Sequence, residues 1–420
     1  MSNRNTSALA VTGLLFFIIG FFTWINGPLI TFVRLAFDLD EVNAFLVVFV
    51  FYISYFVLAL PAAAVMRLTG MKKGLALSLL VMAVGAAMFG QFSTQRWYAG
   101  ALSGLFVIGG GLALLQTAVN PYVSILGPIE TASRRIAIMG ICNKFGGIIV
   151  PIFIGSLVLQ GVGDIADQVS KADAATKEAL LTAFAAKIHG PYLMMAGVLV
   201  LVAGFILFSP LPELKSSEAN AGSDSGAARG SIFQFPHLWL GVLCLFVYVG
   251  VEVLAGDAIG TYGHSLGLPL DETKLFTSFT LGAMLLGYVV GLLTIPRVFS
   301  QQAYLAASAV LGVVFAIAAL LTHGYVSVGF VAALGFANAM MWPAIFPLAI
   351  KGLGRFTETG SALLVMGIAG GALIPQAFAV LKQHYDFQWV FAGLAVPCYL
   401  YILFFALRGH RAGQSAAGRG

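Results

Sequence analysis

The chain has 420 residues, of which 60% are hydrophobic and only 9% are charged, and its mean hydropathy is +0.95. An ordinary soluble chain is about one quarter charged, so this composition excludes a water-soluble enzyme. Lysine and arginine outnumber aspartate and glutamate by 22 to 17, a surplus too small and too dispersed for a nucleic-acid-binding surface. Because a helix needs about 20 residues to cross the hydrocarbon core, the length allows about twelve spans and places the function within the bilayer.

Apolar stretches between charges and turn signals predict twelve membrane helices. In chain order they lie near residues 9–34, 43–66, 74–92, 97–126, 136–160, 189–209, 237–264, 273–295, 303–321, 324–350, 360–381 and 387–407. The run from Ala8 to Ile25 is longer than the apolar part of an export signal and lacks a small-residue cleavage site, so it is interpreted as a retained first span.

A polar, Ser/Gly/Ala-rich segment at 210–236 divides the chain into two halves. Motifs recur between the halves at offsets from 222, for Pro121 and Pro343, to 230, for Arg67 and Arg297. The sequence therefore predicts an all-α membrane protein with twelve transmembrane helices in two pseudo-symmetric six-helix bundles, which resembles the major facilitator fold. The predicted parts are a bundle at 1–209, a cytoplasmic linker at 210–236 and a second bundle at 237–420.

The lysines and arginines predict the orientation of the chain. Fourteen of the 22 fall in segments on the side of the chain termini, seven fall on the opposite side, and Lys144 lies within a span. Because basic residues near span ends favour the cytoplasm, both termini are predicted to be cytoplasmic.

Only three ionisable residues lie well inside the predicted spans: Lys144 in the fifth, and Glu252 and Asp257 in the seventh. Such groups are costly in hydrocarbon unless paired or hydrated, so they are functional candidates. The two acids stand five positions apart, about 140° around a helix, and would share one cavity only if glycines such as Gly256 and Gly260 let the helix distort. An unwound turn with free carbonyls favours sodium, so Glu252 and Asp257 are predicted cation-coupling residues and sodium ligands. Alternatively, one acid pairs with Lys144 as a structural latch.

Neutral polar residues within the spans favour a sugar as the substrate. Amides offer both donors and acceptors to hydroxyl groups, and an indole can stack on the apolar face of a pyranose ring. Taken singly, each amide is better explained by an interhelical hydrogen bond, and the substrate hypothesis depends on the group. The predicted substrate-binding set is Trp24, Asn26, Gln116, Asn120, Asn143, Lys144, Asn338 and Trp342. No cofactor is indicated beyond a coupling sodium ion or proton.

Four segments carry a resemblance to a known family: GFFTWINGPL in helix one, LLQTAVNPYVSILGP at Leu114 to Pro128, GICNKFGG in helix five and YVGVEVLAGD in helix seven. Together they resemble the fucose/glucose-galactose branch of the major facilitator superfamily. The resemblance implies cation-coupled uptake of a monosaccharide such as glucose, galactose or N-acetylglucosamine. It also implies a multi-pass protein of the bacterial inner membrane, which we expect to work as a monomer.

The chain departs from this family at charged positions. Gly27 and Gln116 stand where the fucose/proton symporter has an aspartate and a glutamate, so proton coupling through that pair is not available here, and sodium is the preferred coupling ion. Other hypotheses remain open from the sequence. They are an ion-independent sugar uniporter in which Lys144 permanently satisfies the acids, a membrane-embedded enzyme and a sugar sensor.

Overall fold

A computed structural model of the chain describes residues 3–125, 132–209, 231–295 and 298–413. Within these ranges, twelve helical segments are long and apolar enough to cross a membrane, as the sequence predicts. Helices form here because a backbone in hydrocarbon must satisfy its own hydrogen bonds. The predicted linker at 210–236 lies mostly outside the described residues.

The first six spans occupy the amino-terminal half. They contain α1 (Asn3–Thr23) and α2 (Asn26–Ala36), α3 (Glu41–Ala44) and α4 (Leu46–Thr69), α5 (Met71–Thr94), α6 (Tyr98–Ile125), α7 (Ala132–Leu157), and, after the connecting α8 (Val162–Lys171), α9 (Ala174–Ala186) and α10 (His189–Phe208).

The last six spans occupy the carboxy-terminal half. They contain α11 (Pro236–Gly256) and α12 (Ile259–Ser265), α13 (Leu270–Thr273) and α14 (Phe276–Thr294), α15 (Gln301–Leu321), α16 (Gly324–Asn338) and α17 (Met341–Ile350), α18 (Thr357–Met366) and α19 (Gly370–Leu381), and α20 (Phe387–Leu407). The halves meet through α4 with α18 and α19, and through α7 with α14.

The segment between the fifth and sixth spans differs from the sequence prediction. It was expected to be a loop, but it forms α8 and α9. The side chain of Asp173 accepts a hydrogen bond from the Thr176 amide and so caps α9, whose alanine-rich sequence favours a helix. The polar sequence of α8 keeps it outside the apolar spans, whereas α9 extends the sixth span to Ala174.

Prolines interrupt the first and tenth spans. Proline has no amide hydrogen, and its ring clashes with the carbonyl group four residues earlier. Trp24 lies in the break between α1 and α2, and Pro28 follows it by four residues. Likewise, Ala339 lies in the break between α16 and α17, and Pro343 follows it by four residues. Each proline then sits in the first turn of the next helix, where a missing amide hydrogen is tolerated.

The seventh span is also broken, between Gly256 and Ile259, where the sequence indicates that glycines permit a distortion. The carbonyl group of Ala255 accepts a hydrogen bond of 2.9 Å from the Thr280 hydroxyl, and that of Gly256 accepts one of 2.8 Å from the Thr277 hydroxyl. Side chains of the eighth span thus take the hydrogen-bonding role that the missing helical turn would have had.

Glycines allow the closest helix contacts. A side chain at Gly20 would overlap the backbone of Asn143 where α1 crosses α7, and one at Gly370 would overlap the backbone of Phe246. Small residues let membrane helices approach until their backbones touch.

We expect Gly20→Ala to destabilise the protein by about 1–3 kcal/mol, because the added methyl group must push α1 away from α7. Thermal unfolding in detergent measures the effect. The control is Gly197→Ala, whose methyl group would meet no atom within 4 Å and should leave stability unchanged or slightly higher. Equal melting temperatures for the two variants would contradict the packing argument.

The end of the bundle opposite to the chain termini, called here the distal end, holds the two halves together. It is formed by the segments 37–45, 158–188, 265–275 and 382–386. Lys382 Nζ lies 2.6 Å from Glu41 Oε1 of the other half and donates to the Ser265 hydroxyl at 2.7 Å. Burial lowers the pKa of Lys382, while the Glu41 carboxylate opposes that shift.

A second tie lies on the other side of the distal end. Asp271 Oδ2 accepts a hydrogen bond from the Gly163 amide at 3.2 Å, and Lys274 Nζ donates to the Leu159 carbonyl at 2.9 Å. Both bonds join the carboxy-terminal half to the amino-terminal half. The distal end is therefore closed in this structure.

We expect Glu41→Gln to shift the protein about tenfold towards a form open at the distal end, because a charge-assisted bond between the halves is lost. Distances between spin labels at Asp167 and Tyr385, in a background without the native cysteines, measure the opening. Glu178→Gln is the control, because its partner Arg96 belongs to the same half. An unchanged distance distribution in Glu41→Gln would show that this pair does not hold the distal end.

Candidate substrate and coupling site

A cavity of about 120 Å³ lies between the two halves. Spans one, two, four and five line it from the first half, and spans seven, eight, ten and eleven from the second. Six of the predicted site residues face this cavity: Trp24, Gln116, Asn143, Lys144, Glu252 and Trp342. The breaks in spans one and ten place the two tryptophans on its wall.

An ion pair crosses the cavity between the halves. Lys144 Nζ lies 3.1 Å from Glu252 Oε1, and the two side chains are only 8% and 10% exposed. The same ammonium group lies 4.6 Å from the ring centre of Trp24, a cation–π contact. Trp24 in turn packs against Gly256, where any side chain would overlap the indole. The latch geometry that the sequence left open is therefore present for Glu252.

Asp257 lies beside the cavity rather than on its wall. It is 1% exposed, and its Oδ1 accepts a 3.0 Å hydrogen bond from the Gly27 amide of the other half. The carbonyl groups before the break, which were expected to be free for sodium, already accept threonine hydroxyls. Among the described residues, no three His, Cys, Asp or Glu side chains come together as metal ligands.

Two predicted asparagines are fully buried and do not line the cavity. Asn26 Nδ2 donates to the Thr23 carbonyl at 3.1 Å, beside the break in span one. Asn338 Oδ1 accepts from the Tyr399 hydroxyl at 2.9 Å, beside the break in span ten. Asn26 thus contacts the end of α1, and Asn338 contacts a neighbouring helix. The side chain of Asn120 lies outside the described part of the chain.

The site also contains tyrosines that the sequence analysis missed. Tyr52, Tyr55, Tyr248 and Tyr288 line the cavity. The Tyr55 hydroxyl accepts a 2.9 Å hydrogen bond from Gln116 Nε2. The spacing of Tyr248 and Glu252 at i and i+4 was a usable signal, because it places both on one face of the helix.

A helical membrane protein whose halves enclose a polar cavity, with broken helices at that cavity, has the architecture of a secondary transporter. The chain belongs to the Major Facilitator Superfamily, which it matches over residues 12–375. This confirms the predicted fold and the family resemblance.

Several characterised proteins are similar to the chain along most of its length. It is 32% identical over 416 residues to the glucose/galactose transporter of Brucella abortus, covering 98% of this chain and 96% of the relative. It is 31% identical to the L-fucose-proton symporter of Escherichia coli, over 84% of this chain and 83% of the symporter. The crystal structure of the E. coli fucose:proton symporter superposes with a TM-score of 0.74 at 27% identity, covering 96% of this chain and 98% of that one.

These relatives are transporters rather than enzymes, in agreement with the sequence analysis. The relatives described as symporters are named for protons. The predicted preference for sodium therefore finds no support in the comparisons.

We expect Lys144→Met to destabilise the protein by about 3–5 kcal/mol, because it leaves the Glu252 carboxylate buried without its partner. Adding Glu252→Gln removes that charge and should recover most of the loss. Thermal unfolding of both variants checks the pair. If the double variant is no more stable than the single one, the ion pair is not the cause.

Proposed function

We propose that the protein is a secondary active transporter that takes up a neutral monosaccharide of the glucose or galactose class together with a cation. The observation that supports this most is the cavity between the halves, which combines amides, indoles and the Lys144–Glu252 pair. N-acetylglucosamine is a further candidate from the resemblance. The names of the relatives point to the same substrate class.

The cavity offers the groups that a sugar needs. The Gln116 and Asn143 amides provide donors and acceptors for hydroxyls, and Lys144 with Glu252 adds a charged donor next to a charged acceptor. The faces of Trp24 and Trp342 suit the apolar side of a pyranose ring. Asn26 and Asn338 act at the helix breaks, so we assign them an indirect role.

Sugar binding can drive transport only by favouring one conformation over another. The Lys144–Glu252 pair joins the halves inside the cavity, so hydroxyls that compete for either partner change how strongly the halves attract each other. Coupling then requires a second group whose charge changes with ion binding.

We favour the proton over sodium as the coupling ion. Glu252 is already paired with an ammonium group, and the carbonyls beside Asp257 accept hydroxyl hydrogen bonds, so a hard cation would meet few free oxygen ligands here. A proton needs only one carboxylate oxygen.

We also propose the orientation and division of the chain that the sequence predicts. Both termini face the cytoplasm, so the distal end faces the periplasm, and the structure is closed towards the outside. The bundles are 1–209 and 237–420, joined by the linker at 210–236, and the protein acts as a monomer in the inner membrane.

A uniporter is the second candidate. The Lys144–Glu252 pair supports it, because a permanently neutralised acid cannot respond to an ion. Counterflow of labelled sugar without accumulation under either a proton or a sodium gradient would favour this alternative.

Uptake of labelled glucose, galactose and N-acetylglucosamine into proteoliposomes, under imposed proton or sodium gradients, tests the proposal. We expect accumulation of at least one of these sugars, and about a tenfold higher KM in Gln116→Leu, because a hydrogen bond to the sugar is lost. Gln95→Leu, at an exposed position, is the control. Absence of both uptake and counterflow for every sugar would refute sugar transport.

A further inference from the structure

The two broken helices of spans one and seven meet at Asp257. Its Oδ1 accepts the Gly27 amide hydrogen across the boundary between the halves. The contact therefore ties span one of the first half to span seven of the second half.

One oxygen of the Asp257 carboxyl group has no hydrogen bond of standard geometry. This oxygen is Oδ2, and the residue is only 1% exposed. The Tyr52 hydroxyl interacts with the Asp257 carboxyl group, although their contact in this structure falls outside standard hydrogen-bond geometry. Tyr52 lines the cavity whereas Asp257 does not, so the tyrosine connects the carboxyl group to the cavity.

The charged groups that face Asp257 do not balance a negative charge on it. They are Glu252 on α11, which is itself an acid, and Lys144 on α7, which is already paired with Glu252. Tyr52 on α4 is the remaining titratable neighbour. A buried carboxylate with one backbone donor is costly. A neutral carboxylic acid avoids the cost of burying a charge, and its O–H group at Oδ2 can donate a hydrogen bond.

We propose that Asp257 carries the coupling proton and that Tyr52 passes it between Asp257 and the cavity. This inference rests on the transport function proposed above and adds the group that couples it. On release, the Oδ2–H bond of Asp257 breaks and its proton goes to the Tyr52 oxygen, while the phenolic proton of Tyr52 goes to water in the cavity. Asp257 is left as a carboxylate, Tyr52 stays neutral, and the water carries the positive charge.

The contact with Gly27 links this proton to the movement of the halves. When the distal end is closed, Asp257 is shielded from water, and the neutral acid is tolerated there. Once the proton has left, the carboxylate favours opening of the distal end, because water on that side can then solvate and reprotonate it. Proton binding and closure of the distal end thus favour each other.

The test uses the full-length protein and Asp257→Asn, with Asp167→Asn at an exposed position as the control. In proteoliposomes with a pH gradient, Asp257→Asn should no longer accumulate sugar, although counterflow continues. Adding sugar to weakly buffered, purified wild-type protein should raise the pH through proton uptake, and Asp257→Asn should show no such signal. Tyr52→Phe should slow proton-driven uptake about tenfold without changing the final accumulation.

Three results would overturn the assignment. They are accumulation by Asp257→Asn under a pH gradient, loss of sugar binding by folded Asp257→Asn, and wild-type uptake driven by sodium but not by protons. Each of these leaves sugar transport itself intact. If the wild-type protein transports no sugar at all, the proposed function fails instead.

Discussion

The ion pair between Lys144 and Glu252 is the interaction on which the arrangement of the site depends. Each half contributes one charge to a region where neither would be tolerated alone. Because the pair lies inside the cavity, the two halves are joined at the place where we propose that the substrate binds. Trp24 completes the contact by covering both the ammonium group and the glycine at the seventh-span break.

Two kinds of helix bring the polar groups to the cavity. The breaks beside Pro28 and Pro343 place Trp24 and Trp342 on its wall, and threonines of the eighth span satisfy the carbonyl groups at the end of α11. The cavity also receives Gln116, Asn143, Lys144 and Glu252 from the uninterrupted helical segments α6, α7 and α11. Indoles at broken spans therefore face amides and charges held on regular helices.

The sequence predicts the fold well because long apolar runs and the repeat are strong signals. It also identifies Lys144 and Glu252, since a charge within a span is rare and needs a partner. It does not distinguish amides that face the cavity from those that face a helix end, and so Asn26 and Asn338 were grouped with Gln116. The partner of Asp257 is a backbone amide of the other half, and such a contact has no signature in composition or spacing.

Gly27 and Asp257 touch across the boundary between the two halves through a backbone amide rather than a side chain. A side chain at position 27 would overlap the Thr277 hydroxyl, so glycine is what lets the backbone approach the carboxyl group this closely. A replacement of Gly27 would consequently disturb the boundary even though it removes no hydrogen-bonding group. The fit between the halves at this point depends on the absence of a side chain.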